Sequence, residues 1–320
     1  MSTVDVDPLV TVILTTYDRR EFLPKAIETV AEQTYDKIEL VVVDDHSSES
    51  PRDIVEKSST EGLCNLVFVR HEENGGTSAA RNTGIEHANG EIIAFLDDDD
   101  AWEPSKIERQ VDLFQRTDSD VGAIYTAMRS IDMDGSTITL QHATKEGDLT
   151  KAFLCGYNIP FTSIAVRRDI VASAGLFDEN LPSWNDRHWL LRVSLHCEFL
   201  TIDEPLVISQ RGTEHDQVSD NFTAKLEQSY PIVAEQFQTI AADYGWLFER
   251  KSSAHLKYGI GYSALRNGET EKAREFFIDA LVKWPFNPIF YLYAFIAMTG
   301  NRGYRMARTA KRAIENRVSN

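Results

Sequence analysis

The sequence predicts an α/β fold: a mostly parallel sheet flanked by helices over residues 1–220, then a helical region over residues 221–320. Three observations carry this. Continuous β-branched runs such as Leu9–Thr15 (LVTVILT) are the mark of strands buried on both faces. Helical periods separate these runs, the alternation expected of parallel strands joined by right-handed crossovers. From about Asn221 only long helical periods remain.

Taken in order, Phe22, Leu23, Ala26, Ile27 and Val30 recur at helical spacing and predict an amphipathic helix packed on the first strand. Ile38–Val43 is the second strand and ends in Asp44-Asp45. A helix follows from about Pro51, with proline at an early helical position. Leu66–Val69 reads as the third strand, Thr77–Ala88 as a helix and Ile92–Leu96 as the fourth strand. The turn after the first strand, Thr15-Thr16-Tyr17-Asp18-Arg19, lacks the G-x-G-x-x-G glycines that let backbone approach a pyrophosphate, which disfavours a dinucleotide site. Between Ser105 and Thr213 the pattern is mixed. Lys106–Gln115 predicts a helix, and Val121–Thr126 and Ser163–Arg167 predict strands. Asp132-Met133-Asp134-Gly135 reads as a hairpin turn, because the further ligands of a calcium loop are missing.

Asn221–Phe248 predicts one long helix or two, followed by Ser252–Arg266, Glu269–Trp284 and Pro288–Thr299. Gly259, Gly261, Ala264, Ala273 and Ala280, with Pro285 beyond, resemble one tetratricopeptide-like hairpin, a single unit that cannot make a solenoid. Residues 301–320 then carry Arg302, Arg305, Arg308, Lys311, Arg312 and Arg317 against Glu315 alone. Following the apolar segment Phe286–Met298, this basic tail gives the pattern of a peripheral membrane contact. A core helix followed by a solvated one gives the same periodicity, so both readings stand.

Composition narrows the function classes. Across 320 residues, 33 Lys+Arg face 50 Asp+Glu, a net charge of −17 that repels nucleic-acid phosphates and disfavours a nucleic-acid partner. The same surface suits a salt-rich medium that screens self-repulsion. Cys64, Cys155 and Cys197 are odd in number and widely spaced, so buried thiols in a reducing compartment are expected. MSTVDVDPLV has no basic n-region, and no stretch reaches the roughly 18 apolar residues of a spanning helix. A cytoplasmic location, with peripheral attachment through the tail, is the expectation.

The stretch with the most chemistry is IIAFLDDDDAWEP. Its strand delivers Asp97, Asp98, Asp99 and Asp100 to a carboxyl end, where open α/β sheets place their ligands. Four like charges stay together only if solvated or sharing a cation, and Mn²⁺ or Mg²⁺ with oxygen ligands suits them. The plainer reading is a charged turn in an acidic protein.

Read together, PLVTVILTTYDR, VVVDDHSSE, ENGGTSAARNTGI and FLDDDDAWEP resemble, in order and spacing, the nucleotide-sugar domain of the family 2 glycosyltransferases over roughly residues 8–215. That resemblance implies the GT-A fold and an inverting, metal-dependent glycosyl transfer from a nucleoside-diphosphate sugar, here a UDP-sugar. It implies that Thr15 and Tyr17 frame the base and that Asp45 accepts a hydrogen bond from a uracil-type N–H. Asn74-Gly75-Gly76 and Ala80-Arg81-Asn82 border the donor; Gly76 allows backbone approach, and Arg81 meets phosphate or holds the acidic loop. Asp99 is the direct metal ligand, with Asp97 or Asp98 nearer the ribose, and His215 matches a histidine that closes over donor and metal. Asp186, in Trp184-Asn185-Asp186-Arg187-His188-Trp189, matches the general base, whereas Asn185 replaces the family's usual glutamate. Without the resemblance, Tyr17 is a strand-end aromatic, Asp45 a helix cap and Asp186 a first-turn helix acid.

An acceptor at a membrane surface, such as a lipid-phosphate-linked glycan in protein glycosylation or envelope polysaccharide assembly, suits the C-terminal segments, and a haloarchaeal cytosol suits the charge. Two other classes fit less well. A non-catalytic glycan-binding or scaffold protein on a decayed transferase domain is favoured only by Asn185. A nucleotidyltransferase needs a glycine-rich basic loop that Thr16–Arg20 does not supply.

Overall fold

The computed structural model describes residues 7–132, 135–210, 221–300 and 304. The chain forms two compact units, one of Met1–Leu149, Ile159–Glu179 and Trp189–Glu214, the other of Thr150–Asn158, Asn180–His188 and His215–Asn320.

The first unit is built on a nine-stranded mixed sheet. Its leading half follows the predicted alternation: β1 (Val10–Thr16), α1 (Leu23–Ala31), β2 (Ile38–Asp44), α2 (Arg52–Lys57), β3 (Asn65–Arg70), α3 (Gly76–His87) and β4 (Ile92–Asp97). These strands pair in parallel in the order β3-β2-β1-β4. The chain runs outward from β1 to β3 and then returns to β1's other side. That reversal puts the topological switch point at the carboxyl ends of β1 and β4, the position ligands take in open sheets.

Beyond β4 the sheet turns antiparallel in part. The elements are β5 (Asp100–Trp102), α4 (Lys106–Gln115), β6 (Val121–Ile131), β7 (Thr137–Gln141), β8 (Ala165–Arg167), α6 (Arg168–Ala174) and β9 (Glu198–Gln210), with α5 (Thr150–Leu154) belonging to the second unit. β8 lies antiparallel between β4 and β6, β9 runs parallel to β6, and β5 pairs antiparallel with β9. Gly135 donates to the Asp132 carbonyl at 2.9 Å, joining β6 to the antiparallel β7 as a hairpin; Met133 and Asp134 lie outside the described residues.

Strand periodicity divides the core. Val12, Leu14, Leu40, Val42 and Leu96 face Leu23, Ala26, Ile27 and Val30 of α1 and Ile107, Val111 and Phe114 of α4. On the opposite face Val41 and Val43 pack with Ala80 of α3. α3 approaches β1 so closely that a Cβ at Gly84 would lie 2.3 Å from Ile13 Cγ2. Lys106, fully buried, places its Nζ 3.8 Å from the Trp102 ring centroid and 2.9 Å from Gln110 Oε1. Burial alone holds its pKa well below the usual lysine value.

The three cysteines are free, but Cys64 is exposed, and only Cys155 and Cys197 are partly covered. The expectation of three buried thiols therefore fails at Cys64. It stands just before β3, an edge strand that no further strand covers among the described residues.

The second unit is helical. α8 (Phe222–Ala224) runs through a π turn at Lys225–Ser229 into α9 (Tyr230–Ala242), followed by α10 (Trp246–Arg266), α11 (Thr270–Lys283) and α12 (Pro288–Met298). Ile260, Ala264, Ala273, Phe277, Ala294 and Ala297 form its core. Small residues permit the close approach: a Cβ at Gly261 would lie 3.0 Å from Phe276 Cβ and from the Phe277 ring. α7 (Asn185–Val193) begins in this unit and continues into the first at Trp189. Among the described residues no helix is long and apolar enough to cross a membrane.

Candidate functional site

Three loops meet at the carboxyl ends of β1, β2 and β4. Parallel register places Thr15 opposite both Val43 and Asp97, so the strands deliver their loops at one level. Thr15 is partly covered, and Tyr17 just beyond is 48% exposed. Asp18 adopts a left-handed φ of 53°, and its Oδ1 accepts from Ser48 N at 2.6 Å and Ser48 Oγ at 2.7 Å. His46 is also left-handed, at φ 64°. Such backbone conformations in non-glycine residues cost about 1–3 kcal/mol each and concentrate in binding loops.

The acidic loop holds one buried carboxylate, Asp98, and three that are partly covered. Asp98, 4% exposed, accepts from Thr16 Oγ1 at 2.7 Å and from Arg19 Nη1 at 3.1 Å. Asp100 accepts from Thr162 Oγ1 at 2.7 Å. The Asp97 and Asp99 side chains are 38% and 28% exposed. Arg81 Nη2 reaches Asp97 Oδ1 at 3.0 Å, and Arg19 Nη1 reaches Asp99 Oδ2 at 2.8 Å.

Two guanidiniums thus stand against four carboxylates, and the imbalance shows in their protonation. Burial pushes Asp98 up to about 7 against the opposing hydrogen bond from Thr16. Burial, reinforced by Asp97 and Asp99, also pushes Asp100 up to about 7. Asp99 is raised by burial and by the charge of Asp97. A hard divalent cation would relieve this repulsion, and the oxygen donors of Asp97 and Asp99 are of the right type. Among the described residues no group of three or more His, Cys, Asp or Glu is gathered to hold a metal. Two carboxylates are of the kind that a Mg²⁺-type ion takes when it completes its shell with water and substrate phosphate. His215 lies outside the described residues.

Arg81 is braced as well as paired. Its guanidinium carbon lies 4.1 Å from the Phe161 ring centroid and 5.6 Å from that of Phe177. Phe177 stacks on Trp189 at 4.7 Å, and the Trp189 indole donates to the Gly175 carbonyl at 2.8 Å. The aromatic cluster thereby fixes the planar cation that holds Asp97.

Asp45 is 3% exposed and anchors the start of α3. Its Oδ1 accepts from Gly75 N at 2.9 Å and its Oδ2 from Gly76 N at 2.8 Å, while His71 Nδ1 lies 2.8 Å from Oδ1. Gly76 has φ +83°, which lets its N–H turn onto the carboxylate without a Cβ penalty. The structure thus gathers Thr15, Tyr17, Asp45, Gly76, Arg81, Asp97, Asp98 and Asp99 into the first unit. Asp98 is turned inward to Thr16 and Arg19.

Asp186 belongs to the second unit, in the first turn of α7. Its Oδ1 accepts from Arg187 N at 2.7 Å, and its own N–H donates to Asn185 Oδ1 at 2.7 Å. Trp184, immediately before the helix, has a left-handed φ of 61°.

Sequence reasoning passed over Arg19, Thr16, His71 and Thr162. Arg19 had a signal: four adjacent acids need a base, and it stands two residues beyond Tyr17. His71 follows Arg70, which the register sets opposite Asp44, so His71 falls beside Asp45. Thr162 carried no signal.

The likenesses to known proteins agree with this geometry. Glycosyltransferase AglE of Haloferax volcanii is 32% identical over 190 residues, covering 58% of this chain and 62% of that protein. Among solved structures, Staphylococcus aureus TarS 1–349 in complex with UDP-GlcNAc aligns with a TM-score of 0.57 at 16% identity, covering 93% of this chain and 92% of that one. Mannosyltransferase PcManGT from Pyrobaculum calidifontis, in complex with GDP-Man and Mn²⁺, aligns with a TM-score of 0.58 at 17% identity, covering 100% and 89%. At these identities the structures show the fold, which is the GT-A arrangement with a helical C-terminal region. The chain spans about half the length of the curated relatives it matches. A sequence model described as "Glycosyl transferase family 2" matches residues 11–171, from β1 through the acidic loop into α6, and the chain belongs to that family.

Proposed function

We propose that this chain transfers a sugar, with inversion, from a metal-bound UDP-sugar to the hydroxyl of a lipid-phosphate-linked or glycan acceptor. The observation that carries the reading is the acidic loop: carboxylates crowded at the carboxyl ends of β1 and β4, three of them with raised pKa values, with Asp97 and Asp99 partly open to solvent. Similarity to folds seen with UDP-GlcNAc and with GDP-Man and Mn²⁺ supports a nucleotide-sugar donor.

Asp99 and Asp97 would hold the cation, which when bound neutralises the departing diphosphate. Arg81 keeps Asp97 in place from the aromatic side. Asp45 would read the base: a carboxylate has about four lone-pair positions, and the two glycine N–H groups and His71 use three. Tyr17, half exposed, would lie against the base, with Thr15 beside it. Asp186 would take the proton from the acceptor hydroxyl as its oxygen bonds to the anomeric carbon and the bond to the diphosphate breaks. The AglE similarity and the acidic balance favour a salt-rich cytoplasm and a role in protein glycosylation or cell-surface polysaccharide assembly, with the chain peripheral to the membrane.

Calorimetry of UDP binding, with and without Mn²⁺, for wild type and Asp99→Asn tests the donor site. Binding that requires both metal and Asp99 is expected. Folded protein that binds neither UDP nor GDP would overturn the reading and favour the scaffold alternative.

A further inference from the structure

The bonds that Asp45 accepts are unevenly shared between its two oxygens. Oδ1 accepts from Gly75 N at 2.9 Å and lies 2.8 Å from His71 Nδ1, whereas Oδ2 accepts from Gly76 N alone, at 2.8 Å. An ionised carboxyl only accepts, so His71 carries its proton on Nδ1 and donates it to Oδ1. The other ring nitrogen, Nε2, lies 2.9 Å from Thr83 Oγ1 of α3, a hydroxyl able to donate to it. The backbone N–H of His71 donates to the Asp44 carbonyl at 3.0 Å. Held at both ring nitrogens and at its backbone, the imidazole stays on Oδ1. With about two acceptor positions per oxygen, Oδ1 is full and Oδ2 keeps one. The Asp45 side chain is 5% exposed, so water does not readily make up for a missing partner there.

We propose that His71 sets the base specificity of the donor site, admitting uracil or thymine and rejecting guanine. The inference rests on the reading of Asp45 as the group that meets the base. The N3–H of uracil is a single donor between two carbonyls, and the one open position on Oδ2 satisfies it. Guanine presents N1–H and N2–H side by side, a pair that needs an open position on each oxygen. His71 occupies the position that Oδ1 would offer, so a bound guanine keeps one donor desolvated and unpaired. The fold does not make this choice, since the similar structures hold UDP-GlcNAc in one case and GDP-Man in the other. His71 acts through Asp45 and is a positioning residue.

The experiment is calorimetry of the full chain with UDP, dTDP and GDP in the presence of Mn²⁺. The wild type is compared with two variants that lack the donor, His71→Leu and His71→Phe, and with His71→Asn, whose amide N–H can replace Nδ1–H. Thermal unfolding of each protein is run in parallel. The wild type should prefer UDP and dTDP over GDP by at least about tenfold, and His71→Leu and His71→Phe should narrow that ratio to about threefold or less by gaining GDP affinity. His71→Asn should keep the wild-type ratio. Wild-type protein that binds GDP as tightly as UDP would overturn this proposal and leave the nucleotide-sugar reading standing. So would an unchanged ratio in a folded variant without the donor, including equal loss of both nucleotides, which would make His71 a mere prop for Asp45. Wild-type protein that binds none of the three would instead remove the donor reading on which the proposal rests.

Discussion

Each unit contains an arginine laid on aromatic rings, and the two are solved differently. Arg81 of the sheet unit rests on Phe161 and Phe177 and reaches Asp97. Arg187 of the helical unit lies 4.8 Å from Phe237 and 5.3 Å from Trp184, but its Nε and Nη2 are buried without a hydrogen-bond partner. Burial lowers its pKa to about 10, and only adjacent Asp186 opposes that. In the sheet unit, geometry places charge against countercharge. In the helical unit, apolar packing takes precedence and a cation is tolerated. The comparison teaches that burial alone does not identify a working charge; the arrangement of its partner does.

The largest expected effect concerns the neighbour of Arg187. Asp186→Asn should lower the transfer rate by about 10²–10⁴ while leaving UDP affinity unchanged, as radiolabelled transfer and calorimetry would show. Full activity would return Asp186 to the role of a helix-start acid.

Arg81→Met comes next. It leaves Asp97 without its guanidinium, and the loss should be about 2 kcal/mol in denaturant unfolding, below the roughly 3–5 of a fully buried pair because Asp97 is partly exposed. No measurable destabilisation would mean that neither the ion pair nor the ring contacts of this guanidinium contribute to folding stability.

Arg187→Met sharpens the contrast. Replacing an incompletely satisfied buried cation with an apolar side chain should change stability by less than about 1 kcal/mol, or increase it. A loss as large as that of Arg81→Met would erase the distinction between the two units.

A further effect, of similar size, is one of pH. With folded values raised to about 7, Asp98 and Asp100 keep protons that the unfolded chain gives up near pH 4. The folded state therefore binds more protons between about pH 4 and 7, and metal-free stability falls as pH rises through that window. Thermal unfolding should show this slope, and Asp100→Asn should reduce it and stabilise the protein at pH 8 by on the order of 1 kcal/mol. A slope unchanged in that variant assigns the titration elsewhere.

The legible part of the fold was the part buried on both faces. β1, β2 and β4 read directly because their apolar runs are continuous, and α4 was placed at Lys106–Gln115 by its period. β9 was not read as a strand. It carries Asp203, Glu204 and Pro205, and its pairing with β6 shifts register around Ala127. β5, three residues long, exists only through its pairing with β9. Nor does any local pattern assign Thr150–Asn158 and Asn180–His188 to the helical unit. At the site, the acids announced themselves by density. Their partners did not, because Arg19, Thr16 and Thr162 matter through contacts spanning 62 to 82 residues of chain.

Gly84 turns the helix–strand contact into a lever. It stands three residues beyond Arg81 on the same rigid α3, against Ile13 with no room for one more carbon. A methyl group there, Gly84→Ala, would force either the Ile13 side chain or the helix to give way, and a displaced helix takes the guanidinium with it. In the second case a substitution wholly within the hydrophobic interior would loosen the hold on Asp97 without replacing a single residue of the acidic loop.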